Sequence, residues 1–357
     1  MPTRRLLGAA AAAVDLAVRR TALARTGGQR EADALKHEVR IALLRRLERR
    51  YEHAGAFDRY FRPPRTIAPT EKHRRPTRRG QSVIDVSWPS DYETFLADVR
   101  ERYDRAVENR TATARLFVHR HRRPIIVCIH GYLGGAHGAE SRIWPLPFFH
   151  SLGVDVALFV LPFHGPRARA AFGARPPFPG ADPRMTNEGF RQAMGDFRDF
   201  VRYLLERGHP KVGVMGMSLG GYSTALAATL EPELAFAVPI IPLASVADTA
   251  LHHGFLGSGP DAEAQHRALA AVYRVTSPLA RPAAIPSSHI FVIGAERDQI
   301  TPIAHARKLA AHFGCRFDTI YGGHLMQLGR SEMFDKIGDF LREIGFVPRR
   351  ATNGKMK

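Results

Sequence analysis

Short apolar runs alternate with amphipathic stretches along the chain from Ser82 to Gly345. The apolar runs are nearly continuous, which is typical of parallel strands buried on both faces of a sheet. The amphipathic stretches repeat apolar residues every three to four positions, as helices packed on a sheet do. Strands are predicted at residues 82–88, 112–119, 124–129, 154–162, 211–216, 234–243, 288–295 and 315–321, and helices at 91–108, 189–208, 218–230, 301–314 and 331–345. This order predicts an α/β fold with a doubly wound, mostly parallel sheet.

Two late helices carry recognisable start and stop residues. Thr301 is predicted as an N-cap with Pro302 at the first helical position, and Gly314 as the stop. Ser331 is predicted to cap the last helix, which ends at Gly345. Both helices are therefore expected to be short and to flank the last strand.

The first 80 residues differ from the rest of the chain. Residues 31–53 predict a helix with an apolar stripe at Val39, Leu43, Leu44, Leu47 and Tyr51. Residues 62–80 are rich in Pro and Arg and predict a linker. We therefore expect a basic, partly helical N-terminal extension (1–80), a catalytic domain (81–347) and a disordered tail (348–357). The stripe either packs on its own domain or lies on an anionic membrane.

Positive charge is concentrated in this extension. The chain has a formal net charge of +18, of which residues 1–80 carry +12 (20 Lys/Arg against 8 Asp/Glu). A GC-rich genome and an anionic partner both explain such Arg richness. The two cysteines do not form a disulfide framework or metal-binding spacing. A cytoplasmic location is expected; the opening residues 3–14 outline a twin-arginine export signal as the alternative.

Three strand ends carry a serine, an acid and a histidine. Ser218 lies in "GMSLG" between a predicted strand and a predicted helix, Asp298 follows the strand at 288–295, and His324 follows the last strand. The carboxyl ends of parallel strands converge at one edge of the sheet, where ligands bind. A G-x-S-x-G motif in this context predicts a nucleophile elbow, a sharp turn that exposes the serine. The alternative is a tight turn whose serine has no chemical role.

These motifs resemble the α/β-hydrolase superfamily over residues 112–346. The resemblance implies a triad of Ser218, Asp298 and His324, which follow each other in that family's order. It also implies an oxyanion hole made by the backbone N–H groups of Leu219 and Tyr132. For the acid, Glu296 and Asp248 are the rivals, as residues of the same loop and of the preceding strand end.

The resemblance suggests secondary roles for further residues. His130 and Gly131 are expected to support the oxyanion loop. Met217, Phe163 and His164 are candidate pocket residues, with packing as their alternative role. Residues 244–286 separate two core strands and are predicted to form a small cap over the site.

Together these features predict a serine hydrolase that cleaves a carboxylic ester or related acyl bond in a small-molecule or lipid substrate. No cofactor and no metal is expected, because phosphate-loop, dinucleotide and metal-binding motifs are lacking in the sequence. Nucleic acid is not expected as a partner, since the basic residues are not interleaved with stacking aromatics. The alternatives are an acyltransferase with the same triad, or a non-catalytic binding protein tethered to anionic membrane or nucleic acid by its basic arm.

Overall fold

A computed structural model describes residues 2–23, 37–53, 59–168 and 176–349. Its nine strands are β1 (Thr70–Arg74), β2 (Ser82–Pro89), β3 (Thr111–Val118), β4 (Ile125–Ile129), β5 (Asp155–Phe159), β6 (Val212–Met217), β7 (Leu234–Ile240), β8 (Phe291–Ala295) and β9 (Arg316–Ile320). They form one sheet in the order β1-β2-β3-β5-β4-β6-β7-β8-β9. The pairs from β5 through β9 are parallel, and β1, β2 and β3 add antiparallel strands at one side.

Eleven α-helices of the described ranges surround this sheet. They are α1 (Pro2–Leu23), α2 (His37–His53), α3 (Arg100–Asp104), α4 (His137–Ile143), α5 (Leu146–Ser151), α6 (Pro183–Glu206), α7 (Leu219–Ala228), α8 (Val246–His252), α9 (Gly259–Tyr273), α10 (Ile303–Phe313) and α11 (Arg330–Glu343).

The sheet has an apolar core on each face. In β4, Ile125, Val127 and Ile129 point into the core shared with α6, α7 and α10, whereas Ile126 and Cys128 point into the core shared with α5 and α11. A strand with both faces buried has no polar positions, which explains why the central strands are continuous apolar runs. The predicted fold class, a doubly wound and mostly parallel sheet, is confirmed.

The order of the strands reverses next to β4. The chain passes from β4 to β5 on one side and then crosses to β6 on the other. A crevice opens outside the carboxyl ends of the strands where such a reversal occurs, and ligands bind there in open α/β sheets. The loops after β4 and β6 are therefore the first place to look for a site.

The predicted linker over residues 62–80 needs correction. Within it, Thr70–Arg74 pairs with β2 as the edge strand of the sheet. The sequence "TEKHR" is polar because an edge strand with exposed side chains gains its stability from backbone hydrogen bonds, so no apolar run marks it. The sheet therefore begins before the expected domain boundary at residue 80.

The predicted helix near residue 40 packs against the domain that contains the sheet. Leu47 and Tyr51 of α2 are buried in the main core, and α2 lies along α9. Val39 and Leu43 of the same predicted stripe remain exposed. The N-terminal part of the stripe is thus not used in packing within the described residues.

Other local predictions differ from the structure. The predicted helix at 91–108 is reduced to α3 and short 3₁₀ turns. Helix α10 begins after Pro302, and α11 begins at Arg330 after Gly329, so Thr301 and Ser331 are not the N-caps. Residues 350–357 of the predicted tail lie outside the described residues.

The predicted cap, residues 244–286, contains α8, α9 and two 3₁₀ turns. Its far end is fastened to the body of the domain, since the Tyr222 hydroxyl donates to the carbonyl of Thr276 and the Asn187 amide donates to that of Val272. Its closure over the site remains a prediction. Among the helices of the described ranges, none is both long and apolar enough to span a bilayer.

His130 links the end of β4 to the segment that follows β5. Its Nδ1–H donates to the carbonyl of Gly131 at 2.7 Å, and its Nε2 accepts the N–H of Leu161 at 3.0 Å. Only the neutral ring can donate at one nitrogen and accept at the other. Burial lowers the pKa of His130 to about 3, in agreement with that pattern.

This burial predicts that stability is lost in acid. The folded pKa lies below the unfolded value of about 6.5, so below that pH the unfolded chain binds the proton more readily. His130 alone should reduce the free energy of unfolding by about 1.4 kcal/mol per pH unit between roughly pH 6 and pH 4. We expect His130→Gln to flatten the pH dependence by that slope, measured by urea unfolding at a series of pH values. An unchanged slope in the variant would contradict the hydrogen-bond assignment.

Candidate active site

Ser218 occupies a strained turn between β6 and α7. Its backbone has φ 58° and ψ −115°, a left-handed conformation that side chains rarely adopt. Strain of this kind persists only where the surroundings enforce it. Here the enforcement comes from a strand and a helix that meet with no intervening residue other than Ser218.

Two glycines make this turn sterically feasible. A Cβ on Gly216 would lie 2.2 Å from the carbonyl oxygen of Gly220, and a Cβ on Gly220 would lie 2.1 Å from that of Ile129. Both distances are far below any real contact, so neither position tolerates a side chain without backbone movement. The first and last glycines of "GMSLG" therefore fix where Ser218 stands relative to the end of β4.

Asp298 and His324 are in direct contact. The Nδ1–H of His324 donates to Oδ2 of Asp298 at 2.7 Å, and both side chains are buried. Asp298 also accepts the N–H groups of Ile300 and Thr301 on Oδ1, at 2.8 and 2.7 Å. An aspartate bound to Nδ1–H fixes the tautomer that leaves Nε2 free to accept a proton. The two rival acids have other partners: Asp248 pairs with His266 and Lys308, and Glu296 lies near Thr319.

Thr301 is a site residue that the sequence did not reveal. Its hydroxyl lies 3.0 Å from Oδ2 of Asp298, from Nδ1 of His324 and from the carbonyl of Ile241. It therefore braces the Asp298–His324 pair from the side. The N-cap prediction failed because this hydroxyl faces the preceding loop instead of the first turn of α10. The only available signal was its position three residues after the predicted acid.

The loop after β4 lies against Ser218. A Cβ on Gly131 would be 3.4 Å from Cβ of Ser218 and 4.0 Å from its Oγ. Tyr132 follows, with its side chain 41% exposed and its hydroxyl donating to the carbonyl of Pro176. On the other side, Leu219 is the first residue of α7, and N–H groups of a first helical turn lack partners inside the helix. Two backbone segments, the loop after β4 and the first turn of α7, thus flank Ser218.

The three candidate pocket residues lie in different surroundings. Met217 adjoins Ser218, with its sulfur 3.8 Å from a guanidinium nitrogen of Arg330. Phe163 is buried in the core with its ring edge-on to Tyr103, so it supports the loop and presents little surface to a ligand.

His164 is buried with its ring 5.0 Å from that of His130, and its Nδ1–H donates to the carbonyl of Pro162. Burial lowers the pKa of His164 to about 4. This ring is therefore neutral at physiological pH.

Ser218, Asp298 and His324 follow β6, β8 and β9 at the same edge of the sheet. The structure brings Asp298 and His324 into contact and sets Ser218 beside Gly131. It also joins to this site a residue from far outside the predicted catalytic domain: the Asp15 carboxylate of α1 accepts the N–H of His324.

Comparison with known proteins gives both sequence and structural matches. The model of the prolyl oligopeptidase family matches residues 189–316, about a third of the chain. An uncharacterized protein of Mycobacterium tuberculosis is 30% identical over 223 residues, which are 60% of this chain and 53% of that protein. The chain thus spans about half the length of this curated relative.

Two solved structures share the fold. The acetyl xylan esterase of Paenibacillus sp. R4 aligns over 82% of this chain and 93% of its own, with 15% identity and a TM-score of 0.53. Acetyl xylan esterase 1 of Thermoanaerobacterium sp. JW/SL YS485 aligns over 84% and 93%, with 16% identity and a TM-score of 0.52. The mostly parallel sheet, its strand order, the family match around Ser218 and Asp298 and these two structural matches show that the chain has the α/β-hydrolase fold.

Proposed function

We propose that this protein is a serine hydrolase that cleaves carboxylic esters through an acyl-enzyme on Ser218. The observation that carries the proposal is the buried Asp298–His324 hydrogen bond at the edge of the sheet that also holds the strained Ser218 turn. A serine hydroxyl is a weak nucleophile at neutral pH and needs a neighbouring base. His324, oriented by Asp298, is that base in our proposal.

The reaction proceeds in two stages. In the first, Nε2 of His324 takes the proton of Ser218 as Oγ attacks the ester carbonyl, and the imidazolium then protonates the leaving alcohol. In the second, His324 takes a proton from water, which attacks the acyl-enzyme, and returns the proton to Ser218. Asp298 stabilises the imidazolium that forms in both stages.

The negative oxygen of each tetrahedral intermediate needs preorganised donors. The N–H of Leu219 suits this role because Leu219 is the first residue of α7, and the positive end of the helix dipole lies there and favours a negative oxygen. The N–H of Tyr132 is the proposed second donor, supported by the contact between Gly131 and Ser218. Removal of one such donor in an enzyme of this type costs about 10²–10³ in kcat.

An ester is proposed as the substrate because both structural relatives named above are acetyl xylan esterases. A peptide bond is the rival, favoured by the match to the prolyl oligopeptidase family model. Acyl transfer to an acceptor other than water uses the same residues and stays an alternative. A non-catalytic binding role and contact of the basic arm with anionic membrane also stay predictions.

Labelling with a fluorophosphonate probe tests the nucleophile. We expect the wild-type protein to be labelled on one serine and Ser218→Ala to remain unlabelled, as measured by intact mass. Ser223→Ala is the matched control, since this serine lies in α7, the helix that follows Ser218, and its hydroxyl donates to the carbonyl of Leu219. Equal labelling of wild type and Ser218→Ala would exclude Ser218 as the nucleophile.

Substitution of the acid tests the assignment of Asp298. Asp298→Asn should reduce kcat for p-nitrophenyl acetate by about 10³–10⁴, because an amide stabilises the wrong imidazole tautomer. Asp248→Asn removes the rival carboxylate, which is partly exposed and pairs with His266 and Lys308, and should keep most of the activity. A larger loss in Asp248→Asn than in Asp298→Asn would reassign the acid.

A panel of substrates with matched leaving groups separates the two substrate classes. We expect turnover of p-nitrophenyl esters and none of peptidyl p-nitroanilides, including those with proline before the scissile bond. The ester chain length that gives the highest kcat/KM then defines the acyl pocket. Efficient release of p-nitroaniline would replace the ester proposal by a peptidase.

A further inference from the structure

The N-terminal helix α1 lies against the loop that carries His324. Gly8, Ala11 and Asp15 form its buried stripe, whereas Val14 and Val18 are exposed. Asp15 is the only acidic residue among the first 30. An acidic side chain is rarely buried without partners, so its surroundings explain why it is there.

The Asp15 carboxylate accepts backbone N–H groups from two loops. Oδ2 accepts the N–H of His324 at 2.6 Å and that of Gln299 at 3.3 Å, and Oδ1 accepts the N–H of Leu325 at 3.0 Å. Hydrogen bonds to an ionised acceptor are stronger than those between neutral groups. Asp15 is thus held by donors on both of its oxygens.

The Asp15 contacts join the same two loops as the Asp298–His324 hydrogen bond does. Gln299 directly follows Asp298, and the other N–H group on Oδ2 belongs to His324 itself. The side chains of the acid and the histidine are therefore joined by one hydrogen bond, while Asp15 joins the backbones of the same two loops. Asp15 thus adds to the other bonds between the two loops, which include the Asp298–His324 bond and the bond from the N–H of Arg297 to the carbonyl of Gly322.

Two glycines permit this close approach. A Cβ on Gly323 would lie 2.5 Å from Oδ2 of Asp15, and a Cβ on Gly8 would lie 2.2 Å from the hydroxyl of Tyr321. Each surface thus lacks a side chain where the other approaches. Glycines on both sides thus allow α1 to pack closely on the loop that follows β9 and carries His324, which is called the histidine loop below.

We propose that Asp15 is a positioning residue for His324: by holding the backbone of the histidine loop and of the acid loop together, it sets the imidazole in the geometry needed for proton transfer. The part of this inference that concerns proton transfer by His324 rests on the proposed function. It assigns to α1, which the sequence suggests is part of a basic extension, a place in the assembly of the active site.

Asp15→Asn is the sharpest substitution, because it preserves size and helix packing. An amide offers one acceptor oxygen and places an NH₂ group where a backbone N–H now points. Val14→Ala is the matched control on the neighbouring, exposed position of α1. Gly8→Val is a second route, since its side chain overlaps that of Tyr321 and disturbs the contact between α1 and the loop after β9 while it keeps the carboxylate.

The first readout does not depend on activity. Hydrogen–deuterium exchange of peptides that span residues 321–328 should accelerate about 10–100-fold in Asp15→Asn and in Gly8→Val, because the N–H groups lose a charged acceptor. Val14→Ala should match the wild type. Unchanged exchange in both test variants would overturn the proposal.

The second readout is kinetic. For p-nitrophenyl acetate we expect Asp15→Asn to lower kcat by about 10–100-fold with KM within about twofold, since misplacement of a reacting group affects the transition state far more than binding. A raised KM with normal kcat would make α1 only a wall of the pocket and overturn the positioning role. A fall in kcat that only tracks the folded fraction, measured by thermal unfolding, would do the same.

The two proposals fail in different ways. If the wild type neither reacts with the fluorophosphonate nor turns over esters, the proposed function is wrong and the catalytic half of this inference falls with it. Exchange at residues 321–328 still reports whether Asp15 holds the loop. If the wild type is active and Asp15→Asn has wild-type kcat, the inference alone is wrong.

Discussion

The site depends on one steric constraint. Where β4, β6 and α7 meet, backbone atoms are in direct contact with no side chain between them. Gly220 lies against the carbonyl of Ile129, and Gly216 lies against the carbonyl of Gly220. Because nothing separates them, the first turn of α7 is held at a fixed distance from the end of β4. This contact places Ser218, the N–H of Leu219 and the loop at Gly131 relative to one another. The strain at Ser218 is the local cost of that arrangement.

Much of this could be predicted from the sequence because the relevant rules are local. Central strands buried on both faces need continuous apolar runs, and the turn at Ser218 needs glycines at two defined offsets. Asp298 and His324 could be proposed because strand ends converge at one edge of a parallel sheet. To predict that these two side chains are in contact, only the order of the strands in the sheet was needed in addition.

The features that sequence did not reveal depend on long-range contacts. β1 is polar because an edge strand with exposed side chains needs no apolar face, so its residues look like a linker. Thr301 stands where a helix cap is expected, and only the fold shows that its hydroxyl faces Asp298 and His324. Asp15 lies in an alanine-rich helix whose sequence gives no indication of its partners. In each case the neighbour that defines the residue's role lies elsewhere in the chain.

The contact between Asp15 and His324 also has a consequence for the order of events during synthesis. The two residues are 309 positions apart, so the bond closes a loop that includes almost the whole chain. At about 5–20 residues per second, the synthesis of His324 follows that of Asp15 by roughly 15–60 s. Local elements fold before such distant pairs can form. The arrangement of the candidate active site is therefore among the last parts of the molecule to be completed, after most of the sheet has formed.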